Sequence, residues 1–227
     1  MNKFSVIGIG YRPLEKRARE IISLSDIIVS NEGLMEIFRT YEDYEHVRDK
    51  IKVANNIYET MNIIRGNYKK KSVSVLASGD PMFFGIGRHL IEEFGRDSLE
   101  VYPDLSSMQV AFSRIKEPWG DAFLISLHGG PDPQKRRKLE YEITDIPELL
   151  EKHRIIGILT DRINSPSEIA SVLNSSPLRR HSSLTLYVCE RLGYSDEKIT
   201  DGKPEDIAAL SFSYPNVVVI RKNDRND

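Results

Sequence analysis

The stretch Phe4-Ser5-Val6-Ile7-Gly8-Ile9-Gly10 decides the fold class, because a short apolar run ends there at two glycines. Such a run is typical of a buried strand that enters a tight loop. Just beyond it, apolar residues recur at helical spacing among charged ones, namely Leu14, Ala18, Ile21 and Ile22. This spacing predicts an amphipathic helix packed on a sheet, and hence the strand–turn–helix unit of an α/β protein.

The same alternation continues along the chain. Further strands are predicted at 26–29, 73–76, 99–102, 122–127, 155–159, 183–190 and 217–221, and helices at 42–49, 57–68, 84–94, 106–115, 146–153 and 165–174. Alternation of this kind indicates mixed, mostly parallel sheets flanked by helices. The helix-breaking cluster Pro118-Trp119-Gly120 predicts two α/β domains, 1–116 and 117–222, followed by a polar tail at 223–227.

Composition excludes several classes of protein. The 32 Lys and Arg against 34 Asp and Glu give a net charge of -2, which favours neither nucleic acid nor a membrane surface as partner. No leader peptide is expected, and no stretch approaches the roughly 20 apolar residues of a membrane span. The single cysteine, Cys189, excludes an intramolecular disulfide and fits a cytoplasmic protein. The five histidines lack metal-ligand spacing, so no metal site is predicted.

Two glycine motifs follow predicted strands, and each has two interpretations. Gly8-x-Gly10 suggests a dinucleotide-binding loop, but the third small residue that this loop needs is replaced by Pro13. The motif alone therefore favours a tight turn. In Gly79-Asp80-Pro81, the residues Asp80 and Pro81 suit the start of a helix. Alternatively, Asp80 is a carboxylate at the carboxyl end of a strand, where open α/β sheets bind ligands.

Three further segments follow strands in the same way. Ser106 and Ser107 are natural helix caps, or they present a hydroxyl and a backbone N–H group to a ligand. His128 is either a general base or a structural histidine. The segment 190–194 is consistent with a charged turn.

Taken together and in order, these segments resemble the tetrapyrrole methylase family of S-adenosylmethionine-dependent enzymes. The resemblance rests on Val-Ile-Gly-Ile-Gly at 6–10, on Leu-Ala-Ser-Gly-Asp-Pro-Met-Phe-Phe-Gly at 76–85 and on Ser-Ser-Met-Gln-Val-Ala at 106–111. Within the family, the chain is most similar to the branch that methylates C5 of a precorrin macrocycle in cobalamin biosynthesis. The segments behind this finer resemblance are 107–114, 118–122, 125–129 and 190–193.

The resemblance implies two α/β domains with a cofactor cleft between them, a homodimer, S-adenosylmethionine as methyl donor and a small tetrapyrrole as substrate. It implies no catalytic side chain acting as nucleophile and no metal. By motif matching, the expected cofactor contacts are Gly10, Tyr11, Gly79, Asp80, Phe83, Ser106, Ser107, Leu127, His128 and Leu192.

The chain departs from the family at Gly130, where the family usually has an arginine after the His-Gly pair. Lys135 to Lys138 are candidates to replace that cation, and Arg12 and Arg114 are candidates by position for binding substrate carboxylates. The resemblance is to the stand-alone form, without the second, decarboxylating domain that is fused to some relatives, so a separate decarboxylating precorrin methyltransferase is an expected partner. The alternatives are methylation of another precorrin carbon, a diphthine synthase, or a non-catalytic nucleotide-binding module.

Overall fold

The first apolar stretch is the strand β1 (Phe4–Ile9), which lies inside a parallel sheet. The protein is described by a computed structural model that covers residues 3–129, 139–176 and 183–223. It divides after Ser106 into two compact units. In the first, the sheet order is β3-β2-β4-β1-β5, with β2 (Ile27–Ser30), β3 (Ile51–Val53), β4 (Val73–Ser78) and β5 (Leu99–Tyr102). All its strand pairs are parallel.

Helices cover both faces of this sheet because the strands are apolar on both sides. The helices are α1 (Lys16–Leu24), α2 (Glu32–Phe38), α3 (Tyr44–Val47), α4 (Ile57–Asn67) and α5 (Gly87–Phe94). Phe4 and Val6 pack in the core that includes Ile64 of α4, whereas Ile7 packs in the core that includes Ile22 of α1. The first unit therefore has a helix–sheet–helix arrangement.

The second unit contains a mixed sheet of order β6-β7-β10-β8-β9. Its elements are α6 (Ser107–Ile115), β6 (Phe123–Ser126), α7 (Ile146–Lys152), β7 (Ile155–Leu159), α8 (Pro166–Ser175), β8 (Leu184–Glu190), β9 (Lys198–Gly202), α9 (Pro204–Ala208) and β10 (Asn216–Lys222). Strands β6 and β7 are parallel, and β10 is antiparallel to both β7 and β8. Strands β6, β7 and β8 therefore run in one direction and end at one edge.

Helix α6 packs across the second sheet at a glycine. A Cβ atom on Gly157 of β7 would lie 2.6 Å from the sulfur of Met108 and 3.1 Å from the ring of Phe112. The absence of a side chain at this position lets the helix approach the strand closely. The contacts thus group α6 with the second unit, while the predicted domain limits, 1–116 and 117–222, stay a prediction.

The predicted α/β class is confirmed, and every predicted strand is present within about two residues. Helix α5 begins at Gly87 rather than at Phe84, because Phe84 has a φ of 53° in the left-handed region that a helix cannot accommodate. Between 42 and 49 only α3 and the start of a 3₁₀ turn at Arg48–Lys50 form. The elements α2, β3, β9 and α9 were not predicted. No helix in the described ranges is both long and apolar enough to cross a membrane.

The lone cysteine is buried in the second unit. Cys189 on β8 is fully buried, and this burial raises the pKa of its thiol to about 12. A thiol in such a site stays protonated at physiological pH and behaves as a small apolar side chain.

The close packing at the edge of the first sheet can be tested by a substitution at Gly8 on β1. A Cβ atom there would lie 1.9 Å from the carbonyl oxygen of Gly79 and 2.5 Å from the amide nitrogen of Asp104, and both atoms are backbone. We expect Gly8→Ala to destabilise the protein by about 3 kcal/mol or more in calorimetric unfolding.

Gly66→Ala is the matched control for that variant. Gly66 lies inside α4, and a Cβ there meets nothing within 4 Å, so the change is expected to stabilise the helix by about 0.5–1 kcal/mol. Equal unfolding temperatures for Gly8→Ala and the unmodified protein would show that the edge can relax around a methyl group.

Candidate functional site

Three loops meet at the carboxyl edge of the first sheet, because β4, β1 and β5 are adjacent and parallel. The Gly79 amide donates to the Ile9 carbonyl at 2.9 Å, and the Asp104 amide donates to the Gly79 carbonyl at 3.3 Å. A Cβ atom on Gly79 would lie 3.3 Å from the Cα of Ser106. The structure thus brings Gly79 and Ser106 together with the loop that begins at Gly10.

Two side chains fix the conformation of the loop after β1. The Asp104 carboxylate, 4% exposed, accepts from the backbone amides of Tyr11 at 2.7 Å and Arg12 at 3.1 Å. The Tyr41 hydroxyl accepts from the Gly10 amide at 2.8 Å and donates to the Arg12 carbonyl at 2.9 Å. Burial raises the pKa of Tyr41, so its hydroxyl stays protonated and able to donate. The loop is therefore held from both sides.

Asp80 closes a turn instead of capping a helix. Its Oδ1 accepts from the Met82 amide at 2.8 Å, and α5 begins only at Gly87, so the helix-cap interpretation is wrong. Within the described part of the first unit, its Oδ2 has no hydrogen-bond partner. The ring of Phe83 is half-buried and meets that of Phe84 edge to face at 4.9 Å between centroids. A half-buried carboxylate and an aromatic pair thus follow β4.

The predicted contacts in the second unit lie at or near the carboxyl edge of its sheet. The side chains of Leu127 and Leu192 are buried, so only their backbone groups can face a ligand. His128 is half-buried, and its Nδ1 lies 3.5 Å from the Tyr214 hydroxyl. Burial raises the pKa of Tyr214, which stays a neutral phenol. Ser107 is the first residue of α6.

Sequence reasoning missed two buried carboxylates at this second edge. Asp161 accepts from the amides of Gly129 at 2.9 Å and Asn164 at 2.8 Å. Glu190, 4% exposed, accepts from the Ser213 amide at 2.6 Å, so it belongs to the interior and not to the charged turn that follows it. Both residues hold loops in place through backbone amides.

Some of the missed residues share a position in the sequence relative to a strand, and this position could have identified them. Asp104 and Asp161 each stand two residues beyond a strand, β5 and β7 respectively, at the carboxyl edge of a sheet. Tyr41 lies in a connection between two short helices and carries no such signal. Gly130 and Lys135 to Lys138 lie outside the described residues. The residues that are described hold no group of three or more His, Cys, Asp or Glu side chains suited to a metal ion.

The role of Tyr41 can be tested by removing one oxygen atom. Tyr41→Phe leaves the Gly10 amide and the Arg12 carbonyl without this partner. We expect a loss of about 1 kcal/mol in stability and faster hydrogen exchange at the Gly10 amide. The control is Tyr58→Phe, because Tyr58 is 72% exposed on α4. Exchange at Gly10 that is the same in both variants would argue against the role given to Tyr41.

Comparisons with known proteins agree with this architecture. A probable cobalt-precorrin-7 C(5)-methyltransferase of Methanocaldococcus jannaschii is 28% identical over 220 residues, which are 94% of this chain and 95% of that protein. A cobalt-precorrin-7 C(5)-methyltransferase of Salmonella typhimurium is 30% identical over 131 residues, 58% of this chain and 57% of its own length.

A solved structure shares the fold. The crystal structure of a cobalamin biosynthesis precorrin-6Y methylase from Archaeoglobus fulgidus superposes with a TM-score of 0.67 at 23% identity, covering 98% of each chain. The sequence profile of the tetrapyrrole (corrin/porphyrin) methylases matches residues 3–208. The chain therefore belongs to the tetrapyrrole methylase family.

Proposed function

We propose that this protein transfers the methyl group of S-adenosylmethionine to C5 of cobalt-precorrin-7 in cobalamin biosynthesis. The observation that carries the proposal is the similarity to the M. jannaschii relative along 94% of this chain. The carboxyl edge of the first sheet supports it, since open α/β sheets bind ligands at such edges.

The residues of that edge fit a ligand that carries amine, hydroxyl and sulfonium groups. A Cβ atom on Gly10 would meet nothing within 4 Å, so there is open space beside the loop. The Oδ2 of Asp80 can accept from a hydroxyl or an amine, and its negative charge favours a nearby sulfonium. The aromatic rings of Tyr11 and Phe83 offer apolar surface for a flat ring system.

In this mechanism the main contribution of the protein is to align the methyl donor with the ring carbon. When bound, S-adenosylmethionine would supply an activated methyl group: the bond from the methyl carbon to C5 would form as its bond to sulfur breaks, with release of S-adenosylhomocysteine and of a proton to solvent. Near-attack positioning of two reactants lowers a barrier by roughly 7–11 kcal/mol. Tyr41 and Asp104 contribute by holding the loop at Gly10 and Tyr11 in one conformation before any ligand arrives. No side chain is assigned the role of nucleophile.

We extend the proposal to a cytoplasmic homodimer that works beside a separate decarboxylating precorrin methyltransferase. The family resemblance and the presence of a single, buried cysteine, Cys189, support this setting. Light scattering that gives the mass of a single 26.0 kDa chain would contradict the dimer.

The reaction itself is tested with ¹³C-methyl S-adenosylmethionine and cobalt-precorrin-7. We expect one labelled methyl group at C5 in the NMR spectrum of the product. Label at another carbon would indicate a different precorrin methyltransferase. A parallel assay with a protein acceptor in place of the macrocycle tests the diphthine synthase alternative, which predicts label on a protein histidine. Calorimetry with S-adenosylhomocysteine and NAD tests the non-catalytic alternative, which predicts binding without transfer.

Asp80 is tested by two variants that separate its turn from its charge. Asp80→Asn keeps an oxygen that can accept from the Met82 amide, whereas Asp80→Ala removes it. We expect both variants to weaken S-adenosylmethionine binding about tenfold or more in calorimetry, because both remove the negative charge that favours the sulfonium. The melting temperature should change little.

Asp97→Asn serves as the control for these variants. Asp97 is exposed just before β5, at the opposite edge of the same sheet, and its charge should not affect binding. Wild-type affinity in Asp80→Ala at unchanged stability would remove Asp80 from the site.

A further inference from the structure

One arginine side chain at the carboxyl edge of the first sheet is fixed along one side and open along the other. The Nε of Arg12 donates to the Oδ1 of Asp104 at 2.8 Å, and its Nη2 lies 3.4 Å from the Pro103 carbonyl. The side chain of Asp104 is 4% exposed and that of Arg12 is 55% exposed. In this ion pair, the buried Asp104 carboxylate therefore holds the arginine in place, and the Arg12 guanidinium remains partly in solvent.

The anchor is rigid because Asp104 is itself fully engaged. Besides Arg12 Nε, its Oδ1 accepts from the Leu105 amide at 2.7 Å, and its Oδ2 accepts from the amides of Tyr11 and Arg12. A carboxylate with four donors cannot rotate without losing several hydrogen bonds. Arg12 therefore loses less side-chain entropy on binding a ligand than a free surface arginine does.

The open side of Arg12 has the geometry of a carboxylate receptor. Within the described part of the first unit, its Nη1 has no hydrogen-bond acceptor, and Nη2 retains a second hydrogen. The two Nη groups form a planar fork that matches the two oxygens of a carboxylate. Asp104 already offsets much of the positive charge, which favours a singly charged carboxylate over a doubly charged phosphate.

Other arginines are placed differently. Arg114, the second candidate by position, donates through Nε to Glu197 at 2.6 Å within the second unit. Arg17 donates to the Tyr102 hydroxyl at 3.1 Å and lies on α1. Arg12 is the one that directly follows Gly10 and Tyr11, the predicted cofactor contacts.

We propose that Arg12, preset by Asp104, binds a peripheral carboxylate of the tetrapyrrole and so orients the macrocycle at the loop after β1. This inference rests on the proposed function, because it assigns a substrate contact to that reaction. An interaction at the rim of the substrate is equally strong in the ground state and the transition state, so it acts on KM and leaves kcat nearly unchanged.

The test uses Arg12→Gln, Arg12→Lys and the control Arg65→Gln. Arg65 on α4 is 52% exposed and also pairs with a carboxylate, Glu93, which matches Arg12 in exposure and pairing. The binding probes are uroporphyrin, which carries eight carboxylates, and its octamethyl ester, which carries none. Affinity is read from porphyrin fluorescence, and folding from the melting temperature.

We expect Arg12→Gln to weaken uroporphyrin binding about tenfold or more, and Arg12→Lys to weaken it less because the charge remains. Arg65→Gln should match the unmodified protein, and the ester should bind all four proteins equally. With cobalt-precorrin-7, Arg12→Gln should raise KM about tenfold, with kcat within about twofold and unchanged affinity for S-adenosylhomocysteine.

The outcomes separate this inference from the proposed function. Methyl transfer to C5 with an unchanged KM in Arg12→Gln overturns the role of Arg12 and leaves the reaction standing. A matching loss of S-adenosylhomocysteine affinity also overturns it, since Arg12 would then support the donor site. If no methyl is transferred to cobalt-precorrin-7, the proposed reaction fails. In that case only the uroporphyrin measurement tests the role of Arg12. Equal affinities of Arg12→Gln and the unmodified protein for uroporphyrin would overturn the inference, and so would the absence of binding by the unmodified protein.

Discussion

Backbone packs directly on backbone where β1 leaves the first sheet, and the arrangement of the site depends on that contact. The three adjacent loops come so close that neither Gly8 nor Gly79 has room for a methyl group. The close approach allows the Asp104 amide to reach the Gly79 carbonyl, and it places the Asp104 carboxylate beneath the amides of the first loop. A larger residue at either glycine would separate the loops that the proposed reaction requires to act together.

In the second unit too, buried carboxylates hold loops in place. Asp161 and Glu190 are buried carboxylates that receive backbone amides from neighbouring loops. Burying a charge is costly unless hydrogen bonds compensate for it, and among the described residues one oxygen of Glu190 remains without a partner. The unit gives up some stability there in exchange for a fixed position of the loop at Ser213.

Apolar periodicity predicted the buried parts of the fold well. Strands β5 and β7 and most of the long helices were predicted within a residue or two, because their burial imposes a clear pattern. The edge strands β3 and β9 were missed, since they are short and mostly exposed and therefore carry no alternation. Helix α9, with five residues, was too brief to establish a helical period. Helix α2 is as long as α7 but lacks the proline that marks the start of α7 in the sequence.

The site was predictable only where a motif marks it. The glycines and Asp80 became candidates because their residue types stand out after a strand, and of the two interpretations of Asp80 the helix cap was wrong. Tyr41 approaches Gly10 across 31 residues of sequence, and no local pattern encodes such a contact. Buried polar partners of this kind arise from the packing of elements and become visible only in three dimensions.

The buried thiol of Cys189 has a consequence for handling the protein. With its pKa raised to about 12, the folded chain presents almost no thiolate at neutral pH, and thiolate is the form that attacks a disulfide or an oxidant. Because the thiol is also fully buried, a disulfide between two folded molecules is strongly disfavoured. A covalent dimer on a non-reducing gel would therefore indicate chains whose second unit had unfolded far enough to expose Cys189, so the amount of dimer reports unfolding during storage.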